Sequence, residues 1–142
     1  MHLFAVALTA ILFSTAACAQ DDPWPRMESP PGAVAYIITP ANGEVVSSPI
    51  TVKFGLQGMG VAPSGVDYPD TGHHHLAINR DVTKFDEPLA TESDLIHFGG
   101  GQTEASIELE PGEYTLQMFL GDQDHVPHDP PVVSAKVTIT VQ

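Results

Sequence analysis

The sequence contains the run Gly72-His73-His74-His75-Leu76-Ala77-Ile78-Asn79, in which three histidines pass directly into an apolar alternation. Side chains along a β-strand point alternately to the two faces of the sheet. His74 therefore shares a face with Leu76, while His73 and His75 share the opposite face. Residues i and i+2 of a strand lie about 6–7 Å apart, which is close enough for two imidazoles to bind one metal ion. The run predicts a strand with a core face, where His74 is a hydrogen-bonded core histidine, and a second face with two candidate ligands.

Further segments have the features of strands, namely β-branched residues and alternating polarity between turn residues. They are residues 33–39, 50–54, 95–98, 103–109, 114–120 and 132–141. The run Leu109-Glu110-Pro111-Gly112-Glu113-Tyr114 resembles the corner of immunoglobulin-like domains in which a Tyr hydroxyl bonds back to the backbone. The sequence shows no amphipathic helical pattern. About seven strands in this arrangement predict an all-β fold, an immunoglobulin-like or cupredoxin-like β-sandwich.

The first 19 residues have the features of an export signal. An apolar run at residues 3–13 is followed by Ala17-Cys18-Ala19, which fits a small-residue cleavage site before Gln20. An alternative is a lipoprotein-type site at Thr15-Ala16-Ala17-Cys18, which would place a lipid on Cys18. Residues 1–19 are therefore predicted to be a signal peptide, and the mature protein is expected in the periplasm or secreted, or anchored to the membrane by lipid in the alternative.

The rest of the chain is predicted to be a short tether and one domain. Residues 20–32 are rich in proline and predict an extended tether. Residues 33–142 have the length of a single domain with its own core. Cys18 is the single cysteine, so the fold is expected to form without an internal disulfide. We also expect no transmembrane segment in the mature chain.

The charge balance narrows the classes of partner. The chain has 5 Lys and Arg against 18 Asp and Glu, which gives a formal net charge of −13 at pH 7. Such a chain repels nucleic acid and anionic membrane surfaces. It is compatible with metal cations and with a basic protein partner in the cell envelope.

A second group of histidines, His125-Val126-Pro127-His128, lies in a loop that is rich in aspartate and proline. The loops of a β-sandwich gather at its two ends, so this loop and the start of the histidine strand can meet. Neutral imidazole is a common ligand of zinc and copper. Copper fits a mixture of histidine and methionine, and zinc fits histidines alone or with aspartate. The predicted metal ligands are His73, His75, His125 and His128, with His97 and Met59 as additional candidates.

Three alternatives remain open at this point. The histidines could hold two loops together by hydrogen bonds in an envelope interaction module that binds no metal. Asp122, Asp124 and Asp129 could bind calcium through hard oxygen ligands, or orient the imidazoles. Hydrolysis is the third alternative. Ser106 and Ser134 lie within predicted strands and show no nucleophile-elbow pattern, and for a metallohydrolase with an open metal site no carboxylate stands out as the general base. We therefore expect a binding protein rather than an enzyme.

Several segments together resemble the bacterial domain-of-unknown-function family 4399. They are Gly72-His73-His74-His75-Leu76, His97-Phe98-Gly99-Gly100-Gly101-Gln102-Thr103-Glu104, Leu109-x-Pro111-Gly112 and Gly121-Asp122-x-x-His125-x-Pro127-His128-x-Pro130-Pro131-Val132. The resemblance spans Gly58 to Val141 and implies a small exported domain with no established activity. Where many relatives have a histidine after the Pro-Gly turn, this chain has Tyr114, so that position is not an obligatory ligand.

Overall fold

The computed structural model describes residues 22–142. The predicted signal peptide and Cys18 lie outside these residues. The described part of the chain contains nine strands and no helix long and apolar enough to cross a membrane. The strands are β1 (Val34–Thr39), β2 (Val45–Val46), β3 (Ile50–Gln57), β4 (Gly60–Val61), β5 (Thr71–Ile78), β6 (Leu95–His97), β7 (Glu104–Ile107), β8 (Gly112–Gly121) and β9 (Val137–Val141).

These strands form two sheets, and the prediction of an all-β sandwich is confirmed. The smaller sheet has the order β1-β3-β7. The larger has the order β2-β9-β8-β5-β4, with β6 also paired to β5. The β2–β9 and β4–β5 pairs are parallel, and the other named pairs are antiparallel.

The main core lies between the two sheets and follows from the alternation of apolar side chains. In β3, Ile50, Val52 and Phe54 are buried. They pack in one cluster with side chains of the larger sheet, including Leu76, Leu116, Met118, Leu120 and Ile139. Burying apolar side chains in this way is the main favourable term in folding.

Strand β5 is covered on both faces, so every residue from Gly72 to Ile78 is buried. Its inner face contributes to the main core. On its outer face, Ala77 packs with Leu89, Leu95 and Phe119 in a second, smaller apolar cluster. The segment between β5 and β6 supplies Leu89 and lies over this outer face.

The predicted tyrosine corner is present, since the Tyr114 hydroxyl donates a hydrogen bond of 3.0 Å to the Glu110 carbonyl oxygen. The last strand differs from the prediction because it begins at Val137 rather than Val132. Ser134 is buried there, and its Oγ accepts a hydrogen bond from Met118 N–H at 2.9 Å and donates one to Ala135 at 2.7 Å. Residues 132–134 still form backbone hydrogen bonds with β8, from Leu120 N–H to Val132 and from Ser134 N–H to Met118, each at 3.0 Å, but the regular strand starts only at Val137.

The predicted tether packs against the domain through residues 26–29, here called the N-terminal strap. Ser29 N–H donates to the Asp129 carbonyl at 2.9 Å, and Asp129 N–H donates to Met27 at 2.8 Å. The Arg26 guanidinium donates to the carbonyl oxygens of Pro127, at 3.0 Å, and of His128. The strap therefore holds the loop that carries the second histidine group.

Candidate metal centre

Four imidazoles meet on the outer face of the larger sheet. We call His73, His75, His97 and His125 the histidine cluster. Their ring centroids are separated by 4.7 Å for His97 and His125, and by 5.9 Å for the widest pair, His75 and His125. One ring nitrogen from each of His73, His97 and His125 can be chosen so that all three lie within 4.8 Å of one another. This spacing brings the rings close enough to face one ion.

Strand register explains three members of the cluster. His73 and His75 lie two residues apart on β5 and therefore point to the same face. His97, the last residue of β6, is the cross-strand partner of His75. Directly paired residues of an antiparallel ladder share a face, so the ring of His97 lies beside that of His75, with centroids 5.1 Å apart. Backbone pairing thus places these three rings before any ligand binds.

His125 comes from the loop after β8 and reaches the cluster by a tight turn. Its backbone has a φ of 71°, a left-handed conformation in which His is enriched among residues other than glycine. The buried Asp122 organises the turn, because its Oδ1 accepts hydrogen bonds from Asp124 N–H at 2.8 Å and Val126 N–H at 2.9 Å. The His125 carbonyl oxygen also accepts a bond of 2.9 Å from Leu89 N–H.

Two glycines provide the space that the rings occupy. A Cβ at Gly121, which pairs with His73, would lie 3.0 Å from Cε1 of His75 and 3.1 Å from the backbone of His125. A Cβ at Gly99 would lie 2.3 Å from Cε1 of His97. Side chains at these positions would displace the rings, so both glycines are part of the site.

Burial favours the neutral form of three rings of the cluster, those of His73, His75 and His97. Burial, reinforced by repulsion from His125 and His97, lowers the pKa of His73 to about 4. Burial, reinforced by repulsion from His73 and His97, lowers the pKa of His75 to about 2. The pKa of His97 is also lowered, by burial and by His125. A metal ion needs the neutral imidazole, so at pH 7 protons would compete little with a metal ion for these three rings.

The cluster also leaves polar atoms without partners. Within residues 22–142, both ring nitrogens of His73 and His75 and the Nε2 of His97 are buried with no hydrogen-bond partner. The exception is His125, whose Nε2 lies 3.2 Å from Ser64 Oγ. Leaving a buried donor or acceptor unpaired costs about 1–3 kcal/mol. The donor set, imidazole nitrogens at short mutual distances, fits a transition metal ion, which would bind one nitrogen of each ring.

The structure places the remaining candidates elsewhere. His128 is buried, with both ring nitrogens unpartnered among the described residues, but its ring is not among those of the cluster. Met59 packs against the main core between the sheets. His74 lies on the core face as predicted, with its ring edge-on to Phe54 at 4.9 Å. Its predicted hydrogen bond is not observed in the described part of the chain.

The aspartates of the loop have structural partners. Asp122 accepts hydrogen bonds from backbone N–H groups of its own turn. Asp129 forms an ion pair of 3.4 Å with Arg26. Among the described residues, no carboxylate forms a hydrogen bond with an imidazole of the cluster. The aspartates therefore shape the loop rather than orient the imidazoles.

The sequence does not show that His97 lies beside His75 or that Ser64 contacts His125. The pairing of His97 with His75 depends on strand register, which the spacing of the two residues does not reveal. Ser64 stands in the run Ala62-Pro63-Ser64-Gly65, which is typical of any loop. No local pattern distinguishes it from the other loop serines.

The fold and the cluster define a β-sandwich protein with four imidazoles on the outer face of one sheet. The chain belongs to the family described as "Domain of unknown function (DUF4399)", which matches residues 52–142. This range includes the whole histidine cluster and leaves out the N-terminal strap. Comparison with curated proteins and with solved structures found no similar protein.

Proposed function

We propose that this protein binds one transition metal ion at the histidine cluster and acts outside the cytoplasm as a carrier or buffer of that ion. The observation that supports the proposal is that ring nitrogens of His73, His97 and His125 lie within 4.8 Å of one another, with the buried ring of His75 beside those of His73 and His97. Export rests on the features of residues 1–19. A net charge of −13 favours the approach of cations.

Copper is the proposed ion, with zinc as the alternative. Met59 is partly buried and packs against the main core rather than joining the cluster, so no thioether ligand in the described part of the chain supports Cu(I). A site of imidazoles alone suits both Cu(II) and Zn(II), and Cu(II) binds more tightly to a given set of nitrogen ligands. His97 and His125 are partly exposed while His73 and His75 are buried, which supports entry of the ion from the side of His97 and His125.

Binding is favoured over catalysis by the surroundings of the cluster. Ser64 and His125 form a serine–histidine contact, but no third group orients the imidazole within residues 22–142. A nucleophilic serine requires a base that is itself oriented by such a group. No carboxylate that could act as a general base bonds to the cluster in the same part of the chain.

The test is titration of the metal-free protein with Cu(II) and Zn(II), followed by calorimetry and thermal melting. We expect one ion per chain and a raised melting temperature. His73→Ala and His97→Ala should abolish this uptake, whereas the control His128→Ala should retain it. Uptake that survives loss of His73 and His97, or that requires His128, would rule out this site.

An envelope interaction module that binds no metal is the alternative, and the hydrogen bond between Ser64 and His125 favours it. In that case the imidazoles would tie the loops together. It predicts that His73→Ala lowers the stability of the metal-free protein by about 1–3 kcal/mol. The unpartnered nitrogens of the cluster count against it, because a structural imidazole stabilises through the bonds that it makes.

A further inference from the structure

One short segment, residues 62–65, contacts all three parts of the chain that carry the histidine cluster. Three of its backbone N–H groups donate hydrogen bonds to carbonyl oxygens that lie one or two residues from a histidine of the cluster. The bonds run from Ala62 to Gly72 at 2.8 Å, from Ser64 to Gly99 at 2.9 Å and from Gly65 to Gln123 at 3.0 Å. The segment therefore connects the start of β5, the end of β6 and the loop after β8.

Ser64 adds a side-chain contact to this backbone connection. Its Oγ lies 3.2 Å from Nε2 of His125. His125 is the cluster member that no strand positions, so its ring orientation depends on such a contact more than those of His73 or His97. Both Ser64 and His125 are partly buried, where a hydrogen bond is less exposed to competition from water.

The direction of this hydrogen bond and the tautomer of His125 depend on each other, since the Ser64 hydroxyl can donate or accept. A neutral imidazole carries one N–H and one lone pair. If Nε2 carries the hydrogen and donates to Ser64 Oγ, the lone pair is on Nδ1. The bond made by one ring nitrogen commonly sets which nitrogen binds a metal.

We propose that Ser64 is a positioning residue of the metal site, whose hydroxyl oxygen accepts a hydrogen bond from Nε2–H of His125 so that His125 binds the ion through Nδ1. This inference rests on the proposed function. It adds a residue that binds no metal itself and assigns one coordinating atom. Removing such a partner of a ligating histidine typically costs about 10–100-fold in metal affinity.

The first test uses the metal-free protein. In ¹⁵N-labelled protein at about pH 8.5, where an ordinary histidine is neutral, the imidazole ¹⁵N shifts of His125 should show hydrogen on Nε2 and a lone pair on Nδ1. In Ser64→Ala the His125 shifts should move toward a mixture of tautomers. A proton on Nδ1 of His125 in the parent protein would overturn the inference without affecting the proposed function.

The second test uses zinc as the probe, because it leaves the NMR spectrum observable. We expect Ser64→Ala to lower zinc affinity by about 10–100-fold and Ser64→Thr, which keeps the hydroxyl, to restore most of it. The control is Ser48→Ala, which removes a serine hydroxyl that accepts a bond of 3.1 Å from Leu109 N–H far from the cluster. It should leave affinity unchanged, and melting curves should show that all three variants fold.

Two outcomes separate this inference from the proposed function. Zinc bound through Nε2 of His125, or equal affinity in Ser64→Ala and the parent, would overturn the role of Ser64 and leave the metal site standing. A parent protein that binds neither zinc nor copper would overturn both the metal site and the positioning role. The tautomer of His125 in the metal-free protein would still decide whether Ser64 accepts the hydrogen bond.

Discussion

His74 and His75 are neighbours in the sequence and lie on opposite faces of β5. His74 contacts Phe54 in the main core, whereas His75 faces the rings of His73 and His97. Both imidazoles are buried, and burial lowers the pKa of both. The difference between them is what surrounds the ring: apolar side chains for His74, and further imidazoles for His75.

Because their surroundings differ, the same substitution should affect stability at His74 and metal binding at His75. His74→Leu should raise the unfolding free energy at pH 7 by about 1 kcal/mol, because an apolar side chain of similar size replaces an unpaired polar ring. His75→Leu should abolish metal uptake. Chemical denaturation and metal titration of both variants measure these effects. A loss of stability in His74→Leu would mean that its ring has a partner in the folded protein.

Gly99 offers a second prediction at the scale of single residues, which also rests on the proposed metal site. Gly99→Ala would place a methyl group 2.3 Å from the His97 ring. We expect the ring to leave the cluster and zinc affinity to fall by about 10-fold or more. The control is Gly100→Ala, where the nearest atom, at 3.1 Å, belongs to the exposed side chain of Gln102. Equal affinity in the two variants would exclude His97 as a ligand.

At the scale of elements, β5 is the strand that organises the site. It pairs with β4 and β6 on one edge and with β8 on the other. A central strand that is covered on both faces is buried along its length, which is why a run of histidines is buried together with apolar residues. The sheet holds three of the four rings, and the loop after β8 supplies the fourth.

The N-terminal strap predicts a stabilising role for Arg26. Its side chain is largely buried, with 21% exposed, and bonds to the loop at Pro127 and His128. Arg26→Ala should lower the unfolding free energy by about 1–2 kcal/mol and speed hydrogen exchange of Asp129 N–H. The control is Lys53→Ala, which removes an exposed ion pair of 3.7 Å with Glu104 and should cost about 0.5 kcal/mol or less. Equal losses in both variants would show that the strap does not hold the loop.

At the scale of the whole molecule, buried neutral histidines make stability depend on pH. Burial lowers the pKa of His73 and of His74 to about 4, whereas histidine in an unfolded chain has a pKa of about 6.5. Between these values the unfolded chain binds protons that the folded protein does not. Stability is therefore fully present above pH 6.5 and is lost as the pH falls toward 4.

The expected loss can be measured by urea unfolding of the metal-free protein. From about pH 7 to about pH 5, each such histidine should lower the unfolding free energy by about 2 kcal/mol. Most carboxylates stay ionised in this range, so the histidines dominate the change. In His74→Leu this loss of unfolding free energy should be smaller by about 2 kcal/mol, because one buried histidine has been removed. Equal stability at the two pH values would mean that the folded protein takes up as many protons as the unfolded chain, so that burial does not lower these pKa values.

Local sequence was sufficient for the longer strands, apart from the start of β9, and for the two faces of β5, but not for the two-residue strands β2 and β4. The alternation after His75 predicted that His74 points to the core and that His73 and His75 share the other face, because side-chain direction in a strand depends on chain geometry alone. The corner at Tyr114 was predictable for a similar reason, since its hydrogen bond reaches only four residues back to Glu110.

Only the tertiary structure decided which histidines meet. His97 joins the cluster through its register with His75, and His125 through a turn and the contact with Ser64. His128, three residues further on, lies outside it. Register and loop conformation depend on the packing of segments far apart in the chain. The sequence gives the chemistry of each histidine side chain but not its position relative to the others. The candidate ligands could therefore be named from the sequence, and their arrangement could not.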